Sequence, residues 1–315
     1  MLDMSSSRHD HALPPARVEE ISDGVYAYIQ PDGSWWINNT GFLAGRRGVI
    51  SVDSCATERR TLAYREAIRS VTDRPVTTLV NTHHHGDHTF GNSAFPEATV
   101  VGHEQTRERI IEEGVSEYLN VAWTPVEWGN LRTDPPFLTY ADGITLYSDD
   151  LRCEVRHVGV AAHTTNDSIV WIPERRVLFS GDLVFNGGTP FVLMGSVPGA
   201  LRVLDDLEAL GPQTIVPGHG GVCGPGAIDR VRGYLRFVLD TAERGRKAGL
   251  SPLETARETD LGEYGELGDP ERIVGNLHRA YADLDGLPPG APIDVPTAIL
   301  EMIDFNGGRP LTCLA

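Results

Sequence analysis

Residues 79–92 read LVNTHHHGDHTFGN, and the six positions from His83 to His88 hold four histidines and an aspartate behind an apolar run. Five imidazole and carboxylate groups crowded this closely repel or desolvate one another unless a cation sits among them. The stretch therefore predicts a metal site. Its spacing is His83-x-His85-x-Asp87-His88. Alternate residues of an extended segment share a side, so His83 and His85 can face one ion while Asp87 and His88 swing onto a neighbour. One motif then supplies halves of two sites, and His84, between the ligands, points away into a packing or supporting role.

Working outward, PVTTLV at 75–80 predicts a buried strand that delivers the histidines into a loop just past its C-terminal end, where open α/β sheets place ligands. Upstream, VEEISDGVYAYI (18–29), SWWINNTGFLAG (34–45) and GVISVDS (48–54) predict a β meander broken at Asp23-Gly24, Pro31-Asp32-Gly33 and Gly45. Between meander and motif, ATERRTLAYREAIRSVT (56–72) sets Leu62, Ile68 and Val71 among charges, the pattern of an amphipathic helix. The order repeats downstream. TVVGH (99–103) precedes the helix EQTRERIIEEG (104–114), and strand-like runs follow in GITLYS, LRCEVRHVGV, DSIVWIP and RVLFSGDLVF. Two such halves predict two sheets packed face to face with helices outside. After TIVPGHG (214–220) the composition turns helical, with Ile228, Val231, Leu235, Val238, Leu239 and Ala242 on one stripe and three further helical segments. We therefore expect a disordered tail at 1–16, in which His9 and His11 are incidental, a core at 17–225 and a helical extension at 226–315.

Composition narrows the classes open to such a site. The chain has 315 residues, 40% hydrophobic and 23% charged, enough for one large core with an appendage. Its formal net charge of -17, with no Lys/Arg block, repels phosphate backbones and argues against nucleic acid. The four cysteines, Cys55, Cys153, Cys223 and Cys313, lack close spacing and suit reduced thiols. The N-terminus has no signal-like apolar region and no stretch is long enough to cross a bilayer, so a cytoplasmic, membrane-free protein is expected. Exposed apolar faces on the C-terminal helices would permit a homodimer.

A metal needs more ligands than one motif offers, and three candidates stand beside glycines or small residues at strand ends: His163 in VGVAAHTTND, Asp182 in LFSGDLVF and His219 in IVPGHGG. Imidazole and carboxylate donors without thiolate suit zinc, which lowers the pKa of bound water from about 15.7 to about 7 and so makes a nucleophile without serine or cysteine. The series His-x-His-x-Asp-His, His, Gly-Asp, Gly-His-Gly, in this order over roughly residues 18 to 225, resembles the metallo-β-lactamase-fold hydrolase superfamily. The resemblance implies an α/β (α+β) four-layer αβ/βα sandwich and two Zn2+ ions per chain. It implies that His83, His85 and His163 hold one ion, that Asp87, His88 and His219 hold the other, and that Asp182 bridges them. Asp87 and Asp182 are the candidate catalytic carboxylates.

Within that superfamily, a β-lactam is a poor substrate candidate, because the lactamases place cysteine or no carboxylate where Asp182 stands. Histidine at 85 disfavours the flavodiiron branch, the acidic balance disfavours polynucleotide substrates, and no basic C-terminal cluster suits glutathione. Three further stretches, GSWWINNTGFL (33–43), SGDLVFNGGTPFVLMGSVPG (180–199) and FNGGRPLTCLA (305–315), are similar to the actinobacterial metallo-β-lactamase-type cyclase/thioesterases of aromatic polyketide pathways. That likeness implies an acyl-carrier-protein-bound polyketide thioester as substrate. A lactonase or esterase, and a non-catalytic metal-containing binding module, are the other readings. Asp53 can accept a hydrogen bond from a ligand imidazole or cap a strand end, whereas His103, His157 and His278 read as structural. Trp35 and Trp36 suggest a flap over the metals, with Phe185, Phe191, Leu193 and Met194 lining an apolar cleft.

Overall fold

The computed structural model describes residues 13–115 and 119–315, so most of the expected N-terminal tail, with His9 and His11, lies outside the described residues. The chain begins with a seven-stranded sheet in sequential order: β1 (Arg17–Ser22), β2 (Val25–Ile29), β3 (Thr40–Ala44), β4 (Val49–Val52), β5 (Val76–Val80), β6 (Thr99–His103) and β7 (Leu138–Tyr140). β1 to β4 form the antiparallel meander, and β4 to β7 run parallel. Parallel neighbours require a crossover. Helix α1 (Glu58–Val71) supplies the one between β4 and β5. The single turn α2 (Gly86–Thr89) carries the end of the histidine motif, and α3 (Glu104–Glu113) and the short α4 (Leu119–Ala122) follow β6.

The second sheet has five strands, β8 (Gly143–Ser148), β9 (Leu151–His157), β10 (Ser168–Ile172), β11 (Val177–Asn186) and β12 (Thr214–Gly220), in the order β12-β11-β10-β9-β8. Helix α5 (Val197–Leu210) makes the crossover between the parallel pair β11 and β12. Helices α6 (Gly226–Ala248), α7 (Pro252–Glu258), α8 (Arg272–Leu284) and α9 (Val295–Phe305) complete the chain.

Strand periodicity builds the layers, because successive side chains leave opposite faces. Leu43, Ile50, Val52, Val80 and Val101 point inward and meet Val155, Val170, Ile172, Phe179 and Val216 of the second sheet. Their neighbours Phe42, Val49, Leu79 and Val100 point outward and pack beneath Tyr64 and Ile68 of α1. On the far side, Ile169, Trp171, Leu178 and Ile215 form one apolar cluster with α5, α6, α8 and α9. The C-terminal helices therefore complete the outer layer of the second sheet. Helices, two sheets and helices give a mixed α/β four-layer sandwich.

Local readings differ from expectation at a few places. Residues 34–39 are loop, and the strand begins at Thr40; Trp36 there sits at φ 66, which no strand admits. On α1 the buried face is Thr61, Tyr64 and Ile68, while Leu62 is exposed. Tyr64 wins the interior because its hydroxyl bonds to Ser51 Oγ and to the Gly41 carbonyl, at 2.8 and 2.7 Å. The cysteines are free thiols.

Candidate metal centre

The seven ligand-type residues arrive from both sheets at one edge of the sandwich. His83 and His85 leave the end of β5, α2 brings Asp87 and His88, His163 lies beyond β9, Asp182 is in β11, and His219 is in β12. The motif is only partly extended. His85 is the N-terminal cap of α2, and this tight turn separates the two pairs of ligands. Donor atoms of His83, His85, His163 and Asp182 form one group and those of Asp87, His88 and His219 a second, each within 4.8 Å throughout.

Hydrogen bonds on the outer ring nitrogens decide which nitrogen faces the centre. His88 Nδ1 lies 2.8 Å from Asp53 Oδ2, His163 Nδ1 donates to the Phe191 carbonyl at 2.5 Å, and His219 Nδ1 donates to the Gly33 carbonyl at 3.0 Å. His83 Nδ1 meets Thr82 Oγ1 at 3.1 Å. These four present Nε2 inward. His85 is reversed, with Nδ1 3.1 Å from His83 Nε2 and 2.9 Å from His163 Nε2, and Nε2 3.3 Å from Met194 Sδ. Asp53 is itself gripped by the Thr82 N–H and hydroxyl, both at 2.8 Å, and its φ of 61 turns the carboxylate under His88. It is a partner of a ligand imidazole, not merely a strand cap. His84 turns away to Asn166, as its spacing suggested.

The donor set fits a pair of zinc ions. Tetrahedral zinc with bonds of about 2.0–2.1 Å places neighbouring donors about 3.3 Å apart. The nearest pairs of inward-facing atoms here lie 2.9 to 3.7 Å apart, and all those of each group fall within 4.8 Å of one another. His88 Nε2 and Asp182 Oδ1 face each other at 3.1 Å, buried and without a hydrogen bond among the described residues, as atoms meant for a shared cation would. Asp182 approaches His88 through Oδ1 and both His163 and His219 through Oδ2, so its two oxygens address both groups. Gly218 is required beside it, because a Cβ there would strike Asp182 Oδ1.

Electrostatics follow the same division. Burial and the surrounding imidazoles hold His83 and His85 well below the ordinary histidine value. Burial opposes charge at Asp182 too, yet His219, His88 and His163 outweigh it and keep the carboxyl well below the usual range. Burial is likewise overcome at His219, which Asp182 and Asp87 raise to about 9.

The centre opens into a cleft of about 680 Å³ whose lining is mostly apolar. Phe185, Phe191, Leu193 and Met194 line it beside Asp87 and Asp182, and α9 adds Ile299, Leu300 and Ile303. Trp35 and Trp36 also line it: Trp35 Nε1 donates to Glu271 Oε1 at 2.7 Å, and Trp36 packs among Phe90, Trp123 and Trp128. His103 and His157 lie away from the centre, stacked on one another at 3.9 Å, and His278 pairs with Glu301. Sequence reasoning overlooked Arg272 and Trp123 of the lining, since neither carries a local motif.

Comparison with known proteins agrees with this geometry. The pattern of the metallo-beta-lactamase superfamily matches residues 33–219. The chain belongs to that superfamily, whose members similar to it include metal-dependent hydrolases. It is 29% identical over 211 residues to the 2,4-dinitroanisole O-demethylase subunit alpha of Nocardioides sp. (strain JS1661), an alignment covering 64% of this chain and 55% of that protein. It is 28% identical over 231 residues to the hydroxyacylglutathione hydrolase of Rhodospirillum rubrum, covering 70% of this chain and 77% of that one. The metallo-beta-lactamase from Pontibacter korlensis superposes with a TM-score of 0.59 at 19% identity over 70% of this chain and 99% of its own, a likeness of fold.

Proposed function

We propose that this chain is a dinuclear zinc hydrolase acting on a carrier-protein-bound aromatic polyketide thioester, closing a ring by aldol addition and hydrolysing the thioester. The observation that carries the reading is the convergence of seven ligand side chains at the floor of a large apolar cleft with aromatic walls. His83, His85 and His163 would hold one ion and Asp87, His88 and His219 the other, with Asp182 placed between the two groups. Bound there, zinc supplies Lewis acidity toward a carbonyl and an acidified water at neutral pH.

The chain's own residues do the rest. Phe185, Phe191 and Met194 bury the faces of a planar acyl group and keep bulk solvent from the reacting carbonyl. In thioester hydrolysis, Asp87 accepts a proton from the attacking water at a carboxylate oxygen. It returns that proton to sulfur as the carbon–sulfur bond breaks, leaving an acid and a thiol. In ring closure, the same oxygen takes the proton of the methylene whose carbon attacks, and gives it to the new alkoxide. The three stretches that resemble the polyketide cyclases support this substrate: 33–43 and 180–199 contribute Trp35, Trp36, Phe185 and Met194 to the cleft, and Leu311 of the third pairs with Trp123 in its wall.

A second reading, hydrolysis of an aryl ester, lactone or ether without a carrier, is favoured by the likeness to a protein named for demethylating 2,4-dinitroanisole. The test is turnover of a carrier-linked aromatic thioester against aryl lactones and ethers, alongside metal content by plasma mass spectrometry. Expected are two zinc ions per chain, thioester cleavage, and loss of at least ~100-fold in turnover for Asp182→Ala. Activity on lactones or ethers alone rejects the polyketide substrate. Fewer than one ion per chain rejects the metal centre, and two ions with no turnover of any substrate leave a binding module.

A further inference from the structure

Arg272 is a cation at 1% exposure in the first turn of α8, outside the matched superfamily region, and neither the ligand set nor the proposed chemistry uses it. Its guanidinium donates to the Thr189 carbonyl at 2.9 Å and pairs with Asp269 at 2.8 Å. Its Cζ lies over both rings, 4.1 Å from the Trp35 centroid and 5.5 Å from the Phe185 centroid. Phe185 is the ladder partner of His219, and the two rings stack 5.2 Å apart and 6° from parallel. Trp35 belongs to the loop whose Gly33 carbonyl accepts from His219 Nδ1. That loop is pressed against the His219 strand, since a Cβ on Gly33 would come within 2.5 Å of the Gly220 nitrogen.

Two routes thus run from one guanidinium to one imidazole, through the face of Phe185 and through the loop that holds Nδ1. We infer that Arg272 is a positioning residue for His219, fixing the ring plane on which the Asp87–His88–His219 half of the centre depends. The other half has anchors of its own: the Phe191 carbonyl fixes His163 and Thr82 fixes His83, and Phe185, stacked on His219, meets the His163 ring only as a tilted neighbour at 6.2 Å. Partners that orient a ligand imidazole are worth about 10- to 100-fold in metal affinity. The planar, weakly hydrated guanidinium suits the place between two rings, and an ammonium does not.

The inference rests on the two-ion reading and predicts a split that general destabilisation would not produce. Metal-free protein is titrated with cobalt and followed by its visible absorption and by calorimetry. Wild type takes up two ions. Arg272→Met and Arg272→Lys retain one ion at wild-type affinity and bind the other about 10- to 100-fold more weakly. Should those variants fail to fold, Phe185→Leu removes one route without touching the charge and gives the same one-sided loss, and Phe185→Tyr, which keeps the stacked ring, restores it. Equal weakening of both ions, or two unchanged affinities in Phe185→Leu and the arginine variants, overturns the role of Arg272. Wild type that binds no second ion overturns the two-ion reading instead.

Discussion

Asp53 shows how a single residue acts through its neighbours. It lies beneath His88 on the side away from the donor cluster, with three hydrogen bonds converging on its two oxygens. Burial pushes its carboxyl up, and the adjoining His88 pulls it back. Asp53→Ala is expected to leave His88 with an unpartnered Nδ1 and to weaken metal binding about 10- to 100-fold, while the fold stays intact. Competition with a chelator of known affinity measures this, and an unchanged affinity would show that His88 needs no support. The seven side chains that the fold gathers into one cluster were readable from the sequence because each is a chemically distinctive residue beside glycine or small residues. Arg272 was not, because its role arises from rings contributed by segments far from it in the chain. The Trp35–Trp36 pair was recognised as part of the cleft, but its anchoring contacts to Glu271 and Trp128 are ones that no local pattern announces.

Among the elements, periodicity served the strands well and the helices unevenly. α5 escaped notice although Ser196 caps it and Pro198 stands in its first turn, because VPGALRVLDDLEAL follows directly on an irregular glycine-rich run. Its start depends on a partner from α8: Asp283 accepts from the Val197 N–H at 2.8 Å. Burial raises the Asp283 carboxyl above its ordinary value of 3.8, more than that hydrogen bond and Arg279 lower it. The folded state then holds a proton more tightly than the unfolded chain. This contribution to stability is present below the unfolded value and is lost as pH rises through the folded one. Asp283→Asn keeps the accepting oxygen and removes the titration. Its melting temperature relative to wild type should therefore climb as pH increases from about 4 toward neutrality. A constant offset across that range would mean that Asp283 does not titrate as its surroundings dictate.

For the whole molecule, the layers were legible because the central strands have two apolar faces, and the packing of the C-terminal helices was not. The helical turn in composition near residue 225 suggested an appendage, whereas Val231, Leu235, Val274, Leu277 and Met302 share one cluster with Trp171 and Leu178 of the second sheet. The metal centre joins the halves in a different way. His83, His85, Asp87 and His88 follow the last-but-two strand of the first sheet, and His163, Asp182 and His219 belong to the second. Ions shared between these donors would bind the native packing of the two sheets and not the unfolded chain, so occupancy adds to stability by mass action. At a free concentration ~100 times the dissociation constant, one site contributes ~2.7 kcal/mol. With a shift of ~2 °C per kcal/mol for a large domain, chelation should lower the melting temperature by about 5 °C for each site emptied. Scanning calorimetry with and without chelator checks the value, and His219→Ala should lose only the share of the site it still holds. A melting temperature indifferent to the chelator in the zinc-loaded protein would mean that the two sheets hold together without help from the cations, and that the donor cluster is preformed by packing alone.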